Sequence, residues 1–192
     1  TYRRLISKDT NSKAAPGYQN EIINCMKRMG KKQEAINEVN RLLQDYRKES
    51  AWARNNSSDP EALKKASEFI EVALYDVATG YHNEARKLGK GRQAEETFRM
   101  AESAYRTYIT ELPNGKNAYI MKNNFAEILY DLKNYVEAYE QYMGVVKMDP
   151  KGKFSIDCAT NAIIAANKMI SEEKREGKIK SRKSRTDIEP IE

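Results

Sequence analysis

The sequence predicts an all-α protein built from antiparallel helix pairs, and three observations carry that expectation. Glycine and proline are sparse, nine and five in 192 residues, while Glu, Lys, Ala and Gln run through most segments, a composition that favours helices. Apolar residues recur at helical spacing along most of the chain, and no convincing strand is found. Small alanines stand among large residues at recurring places, where they let two helix backbones approach. With 40% apolar and 32% charged residues, the chain suits shallow helix contacts better than one thick core.

The opening "TYRRLISKD" reads as though partway along a helix, so residues 1–15 are expected to end a preceding repeat. In residues 16–47, Ile22, Met26, Ala35, Val39 and Leu42 mark two helices, with Gly30 and "GKKQEA" turning the chain between them. "SAWARNNSSDP" then breaks the rhythm, and its Trp52 is expected to seal the flank of a hairpin or else to stand as an exposed anchor. A longer helix follows. Asp59 is placed as its N-cap and Pro60 as its first residue, and an apolar stripe runs over residues 63–88. After "GKG", Ala101, Tyr105 and Tyr108 mark the returning helix, closed by Pro113.

In "NNFAEILYDLKNYVEAYEQYMGVVKMDP", residues 123–150, Phe125, Ala126, Ile128, Leu129 and Leu132 share one helical face. After the brief "KN", Tyr135, Ala138, Tyr142, Val145, Val146 and Met148 do the same. So short a link implies a tight αα-hairpin, and Pro150, lacking an N–H, ends its second helix. Residues 159–170, "ATNAIIAANKMI", read as one more helix.

This pattern resembles the tetratricopeptide repeat. Phe125 and Ala126 stand at its seventh and eighth positions, Leu129 at the eleventh, Ala138 at the twentieth, Tyr142 at the twenty-fourth and Pro150 at the thirty-second. Lys122 departs from the tryptophan-like fourth. Residues 16–47 fit the same template except for Ile23 at the small eighth position and the missing closing proline. Leu74, Val77, Ala78 and Tyr81 fit the first half of a third copy, but Ala78 and Ala101 stand 23 residues apart where the template has twelve. The surplus is about three helical turns. It implies an overlong hairpin projecting roughly a turn and a half further on each side of "GKG". Ala162 and Ile163 take the seventh and eighth positions of a final first helix.

The implied fold is a tetratricopeptide-like α-solenoid, a right-handed superhelix of helix pairs with one elongated hairpin. The implied division is residues 1–15, 16–57, 58–115 (the elongated hairpin), 116–152 and 153–175, then a charged linker or tail over 176–192. The strings "YRRLI", "PGYQNEII", "SAWARNN", "ALYDVATGYHNEA" and "FAEILYDLKNYVEAYEQY" are also similar to the large deltaproteobacterial repeat proteins associated with adventurous gliding motility. That likeness implies envelope machinery in or near the periplasm, and the chain's two ends are expected to be cuts in something longer.

The sequence excludes much chemistry. Cys25 and Cys158 stand far apart and away from any histidine pair, so they build neither a zinc site nor a redox pair. No apolar run reaches the ~18 to 20 residues that cross a bilayer. No paired carboxylates, nucleophile with base, or phosphate-gripping loop is found. His82 is the single histidine; Asp76, Glu84 and Asp131 could offer it oxygens, but a metal role is disfavoured, and neither enzyme nor cofactor is expected.

What remains is surface. In the family pattern, side chains at the fifth, ninth and twelfth positions of first helices line a concave face that holds protein segments. Here these are Asn20, Asn24 and Lys27; Tyr75, Thr79 and His82; Asn123, Glu127 and Tyr130; and Thr160, Ile164 and Asn167. Asparagine amides can pair with an extended backbone and tyrosines add apolar area with a polar tip; equally, the same residues fit an exposed face on which they are simply tolerated. Glu127 disfavours the carboxylate-gripping subtype. His82 reads either as a groove group tuning binding near neutral pH or as an ordinary hydrogen-bonded histidine. The chain carries +6 net charge, with a sequence pI near 9.1. Its basic stretch, "EEKREGKIKSRKSR", reads as a solvated helix end and linker, with electrostatic binding of RNA or anionic lipid as the alternative.

Overall fold

The structure, a computed structural model, describes residues 1–177, and the predicted basic tail beyond them lies outside the described residues. Every regular element among the described residues is an α-helix. In chain order they are α1 (Tyr2–Lys8), α2 (Ala15–Arg28), α3 (Lys32–Tyr46), α4 (Ala51–Asn55), α5 (Pro60–Leu88), α6 (Arg92–Glu111), α7 (Ala118–Asp131), α8 (Tyr135–Met148) and α9 (Ser155–Arg175). They form two compact units that divide at Met121 and Lys122, inside α7.

In the first unit, α2 packs against α3, and α5 against α6. Ala35, Ala78 and Ala101 are all buried at these seams, where a larger side chain would hold the backbones apart. Gln19 crosses the first seam, its Nε2 donating to the Glu38 carbonyl at 3.0 Å and to Glu38 Oε2 at 2.8 Å. Arg3 donates to the other oxygen of that carboxylate. Burial opposes the Glu38 charge, but the bonds from Gln19 and Arg3 outweigh it and hold the carboxyl below its usual range.

Asp59 caps α5 as the sequence predicts, accepting from the Ala62 N–H at 3.0 Å, with Pro60 in the first turn. Trp52 on α4 is buried, edge-on to Tyr46, and its Nε1 donates to the Ser12 carbonyl at 2.9 Å. It seals the hairpin's flank. The long hairpin departs from expectation in where its surplus goes. Lys32, at the start of α3, pairs with Glu84, so only about one turn of α5 projects past it. The remaining length lies at the other end of α5, where Ala62, Ala66 and Ile70 are buried beside α2 and α4.

In the second unit, α8 packs on α9. Phe125, Ala126, Ile128, Leu129, Ala138, Tyr142, Val145, Cys158, Ala162 and Ala165 form its core. α8 ends at Met148, and Pro150 follows its C-cap residue, Asp149.

The turns closing α2 and α7 share one geometry with different residues. After α2, Lys31 N–H reaches back to the Met26 carbonyl and Gly30 N–H to that of Lys27, both at 3.0 Å, with Gly30 at φ +70°. After α7, Asn134 N–H reaches Leu129 and Lys133 N–H reaches Tyr130, at 2.8 and 2.9 Å, with Lys133 at φ 63°. Both are left-handed helix stops of the kind glycine favours. Lysine there carries a Cβ penalty that Gly30 avoids. Lys133→Gly is therefore expected to stabilise the protein by about 1 kcal/mol, read as a raised urea midpoint.

Candidate functional site

Within the first unit, α2 and α5 run parallel. Gly17 lies under the Phe69 ring, 3.6 Å from where a Cβ would stand; ten residues on, Lys27 Nζ meets Asp76 Oδ2 at 2.9 Å. Because Gly17 has no side chain and Ala62 and Ala66 have small ones, the start of this seam stays open. The opening is a cleft of about 710 Å³. Tyr2, Tyr18 and Phe69 line it, and the first two rings stack with centroids 6.0 Å apart. Lys13 pairs with Asp59 at 2.6 Å on its rim, and Lys65 faces Glu61 at 3.8 Å. Asn20 lines the cleft half-exposed, and among the described residues its amide has no hydrogen-bond partner. The cleft thus offers aromatic area, one amide with both donor and acceptor capacity, two matched ion pairs at the rim and the carboxylate of Glu21.

Of the other residues predicted on the binding face, Asn24 is half-exposed and donates to Glu21 at 3.4 Å. Lys27 is exposed but held by Asp76. Tyr75 and Thr79 are half-exposed, the Thr79 hydroxyl donating to the Tyr75 carbonyl at 2.8 Å. His82 requires correction, because it is only 4% exposed. Its Nδ1 lies 3.1 Å from the Tyr105 hydroxyl, and Phe98 and Tyr105 meet the ring edge-on. Such a group is enclosed in the α5–α6 seam, and of the two readings the sequence left open its geometry is that of the hydrogen-bonded histidine.

In the second unit, Asn123 and Glu127 serve as braces between helices. Asn123 Oδ1 accepts from the Cys158 thiol at 3.1 Å, while Glu127 accepts from the Tyr142 hydroxyl at 3.0 Å and from the Asn161 amide at 3.2 Å. Burial pushes the Cys158 thiol up to about 11. Burial, and then Glu127, also raises the Tyr142 hydroxyl. Tyr130 stays half-exposed, edge-on to Tyr135. Thr160 and Asn167 are exposed on α9, as is Ile164. Beside them Ile156 and Ile163 stand 82% and 65% exposed, an uncovered apolar face.

Sequence reasoning missed Tyr2, Tyr18 and Phe69. They lie outside the first-helix positions that the repeat template assigns to its groove, and Tyr2 and Phe69 are too far from Gly17 along the chain for spacing to have joined them. Among the described residues, no group of three or more His, Cys, Asp or Glu is placed to hold a metal ion, and no helix is long and apolar enough to cross a membrane. Comparison of the sequence with models of protein families finds no match, and comparison with curated proteins finds none.

Proposed function

We propose that the protein is a non-enzymatic, tetratricopeptide-like scaffold that holds an extended segment of another protein in the α2–α5 cleft. The observation that carries the reading is the parallel packing of α2 on α5 around an open aromatic cleft. The second unit repeats the arrangement: Asn123 contacts Cys158 and Glu127 contacts Asn161, 35 and 34 residues apart, so α7 and α9 also run parallel. Parallel first helices at such an interval are what stacked helix pairs produce. A solenoid running through both units, and work in a bacterial envelope complex, follow from the resemblance and belong to this proposal.

In the cleft, an apolar or aromatic side chain of the bound segment packs among Tyr18 and Phe69, and its backbone pairs with the Asn20 amide. To test this, peptides selected from a random displayed library on the native chain are titrated against Phe69→Ala and Asn20→Ala. Each change is expected to weaken binding by about tenfold, near 1.4 kcal/mol. Peptides held equally well by both folded variants would show that the cleft is not the site.

A further inference from the structure

Two turns of the first unit carry a concentration of charge that the cleft does not use. Residues 27–32, "KRMGKK", and 86–92, "RKLGKGR", contain eight cations and no acidic residue, and all thirteen positions are exposed. The Lys32–Glu84 and Lys27–Asp76 pairs hold the first turn against α5 close to the second, so the two form one basic end of the unit. Four of the cations have carboxylate partners drawn from the helix flanks: Lys27, Lys31, Lys32 and Arg92. Arg28, Arg86, Lys87 and Lys90 have none among the described residues.

Each turn also bears one large aliphatic residue at its vertex. Met29 is 57% exposed and Leu88 37%, and each directly precedes a glycine with positive φ, Gly30 and Gly89, where the chain reverses. Singly, exposed aliphatic residues are ordinary on a protein surface, but here both stand at the vertices of turns whose remaining side chains are all cations. This arrangement matches an anionic bilayer, whose headgroups pair with the cations while its acyl boundary receives short apolar tips. A nucleic acid fits less well, because these thirteen residues include no aromatic ring on which a base could stack.

We infer that the basic turn end of the first unit, with Met29 and Leu88 at its vertices, docks on an anionic lipid surface. The contact is separate from the cleft and leaves it free. Each cation near such a surface contributes roughly a fivefold factor in affinity.

The test is sedimentation of the full chain with phosphatidylcholine vesicles, with and without phosphatidylglycerol, at two salt concentrations. The native chain is expected to bind only the anionic vesicles, more weakly at high salt. Replacing Arg86, Lys87 and Lys90 together with alanine should lower affinity about a hundredfold, while circular dichroism confirms the fold. Leu88→Trp should give an emission that shifts to the blue and is quenched by brominated lipid, against buried Trp52 as background. Four changes in the basic tail, Lys180→Ala, Arg182→Ala, Lys183→Ala and Arg185→Ala, should leave most of the binding. Equal binding to neutral vesicles, native binding by the triple variant, an unshifted Leu88→Trp emission, loss of binding through the tail changes alone, or tighter binding to polyuridine or polyglutamate than to vesicles would each overturn the inference.

Discussion

Glu71→Ala is expected to destabilise the first unit by about 3 kcal/mol. One oxygen of this carboxylate accepts three hydrogen bonds: from the Tyr108 hydroxyl at 2.7 Å, the Asn117 backbone N–H at 2.9 Å and the Asn117 side-chain amide at 3.1 Å. It thereby ties α5 to the end of α6 and to the turn that leads into α7. Tyr108 is fully buried. Burial first, and then the bond to Glu71, raises its hydroxyl well above the ordinary tyrosine range, so it stays a proton donor to the carboxylate. Gly115 completes the fit, since a Cβ there would lie 2.7 Å from the Tyr108 oxygen.

Truncation at Glu71 leaves the buried Tyr108 hydroxyl and the Asn117 side-chain amide without their acceptor, while the Asn117 backbone N–H keeps only its longer bond to the Tyr108 oxygen, at 3.2 Å, and the penalty of the orphaned hydroxyl exceeds the net worth of the bonds themselves. Glu71→Gln keeps an oxygen in place and loses only the charge, so its expected cost is smaller, about 1 kcal/mol. Urea unfolding followed through Trp52, in the same unit, reads both. An alanine variant within about 0.5 kcal/mol of the native chain would mean that water replaces the carboxylate at little cost.

Such a knot was not legible in the sequence, and the reason is general to this chain. Helical spacing depends only on neighbours along the chain, so the helices, the Asp59 cap and the buried alanines at 78, 101, 126 and 138 could be read directly. Polar residues are different. Asn123 and Glu127 occupy positions where the repeat pattern places ligand contacts, yet they bond Cys158, Tyr142 and Asn161. One sequence does not separate an amide that braces a neighbouring helix from one that awaits a partner. Phe69 was missed for another reason: the extra turns of α5 lie N-terminal to the template, which begins to match only at Leu74. His82 is a separate case. In a repeat of ordinary length the twelfth position of the first helix faces outward, but α6 is 20 residues long and brings Phe98 and Tyr105 over it.

That burial makes His82 the chain's main acid-sensitive point within the α5–α6 seam. Burial, and to a lesser degree the Arg86 charge, pushes the imidazole from its ordinary value down to about 4. The native ring is therefore neutral, with Nε2 enclosed and lacking a hydrogen-bond partner in the structure. An unfolded chain binds the proton at about pH 6.5. Below that point the unfolded state holds more protons than the native state, so stability is fully present above about pH 6.5 and drains away as pH falls towards 4. Between about pH 7.5 and about pH 4.5 the loss from this one group is about 2.5 kcal/mol. His82→Phe keeps a ring of similar size, loses the contact with the Tyr105 hydroxyl, and has nothing to protonate. It is expected to be less stable than the native chain at pH 7.5 by about 1 kcal/mol and to show a stability difference between the two pH values smaller by about 2.5 kcal/mol. Carboxylates such as Glu38 contribute acid sensitivity to both proteins and cancel in the comparison. Equal pH dependence in the two chains would mean that His82 accepts its proton in place, through an opening of the seam that lets water reach Nε2.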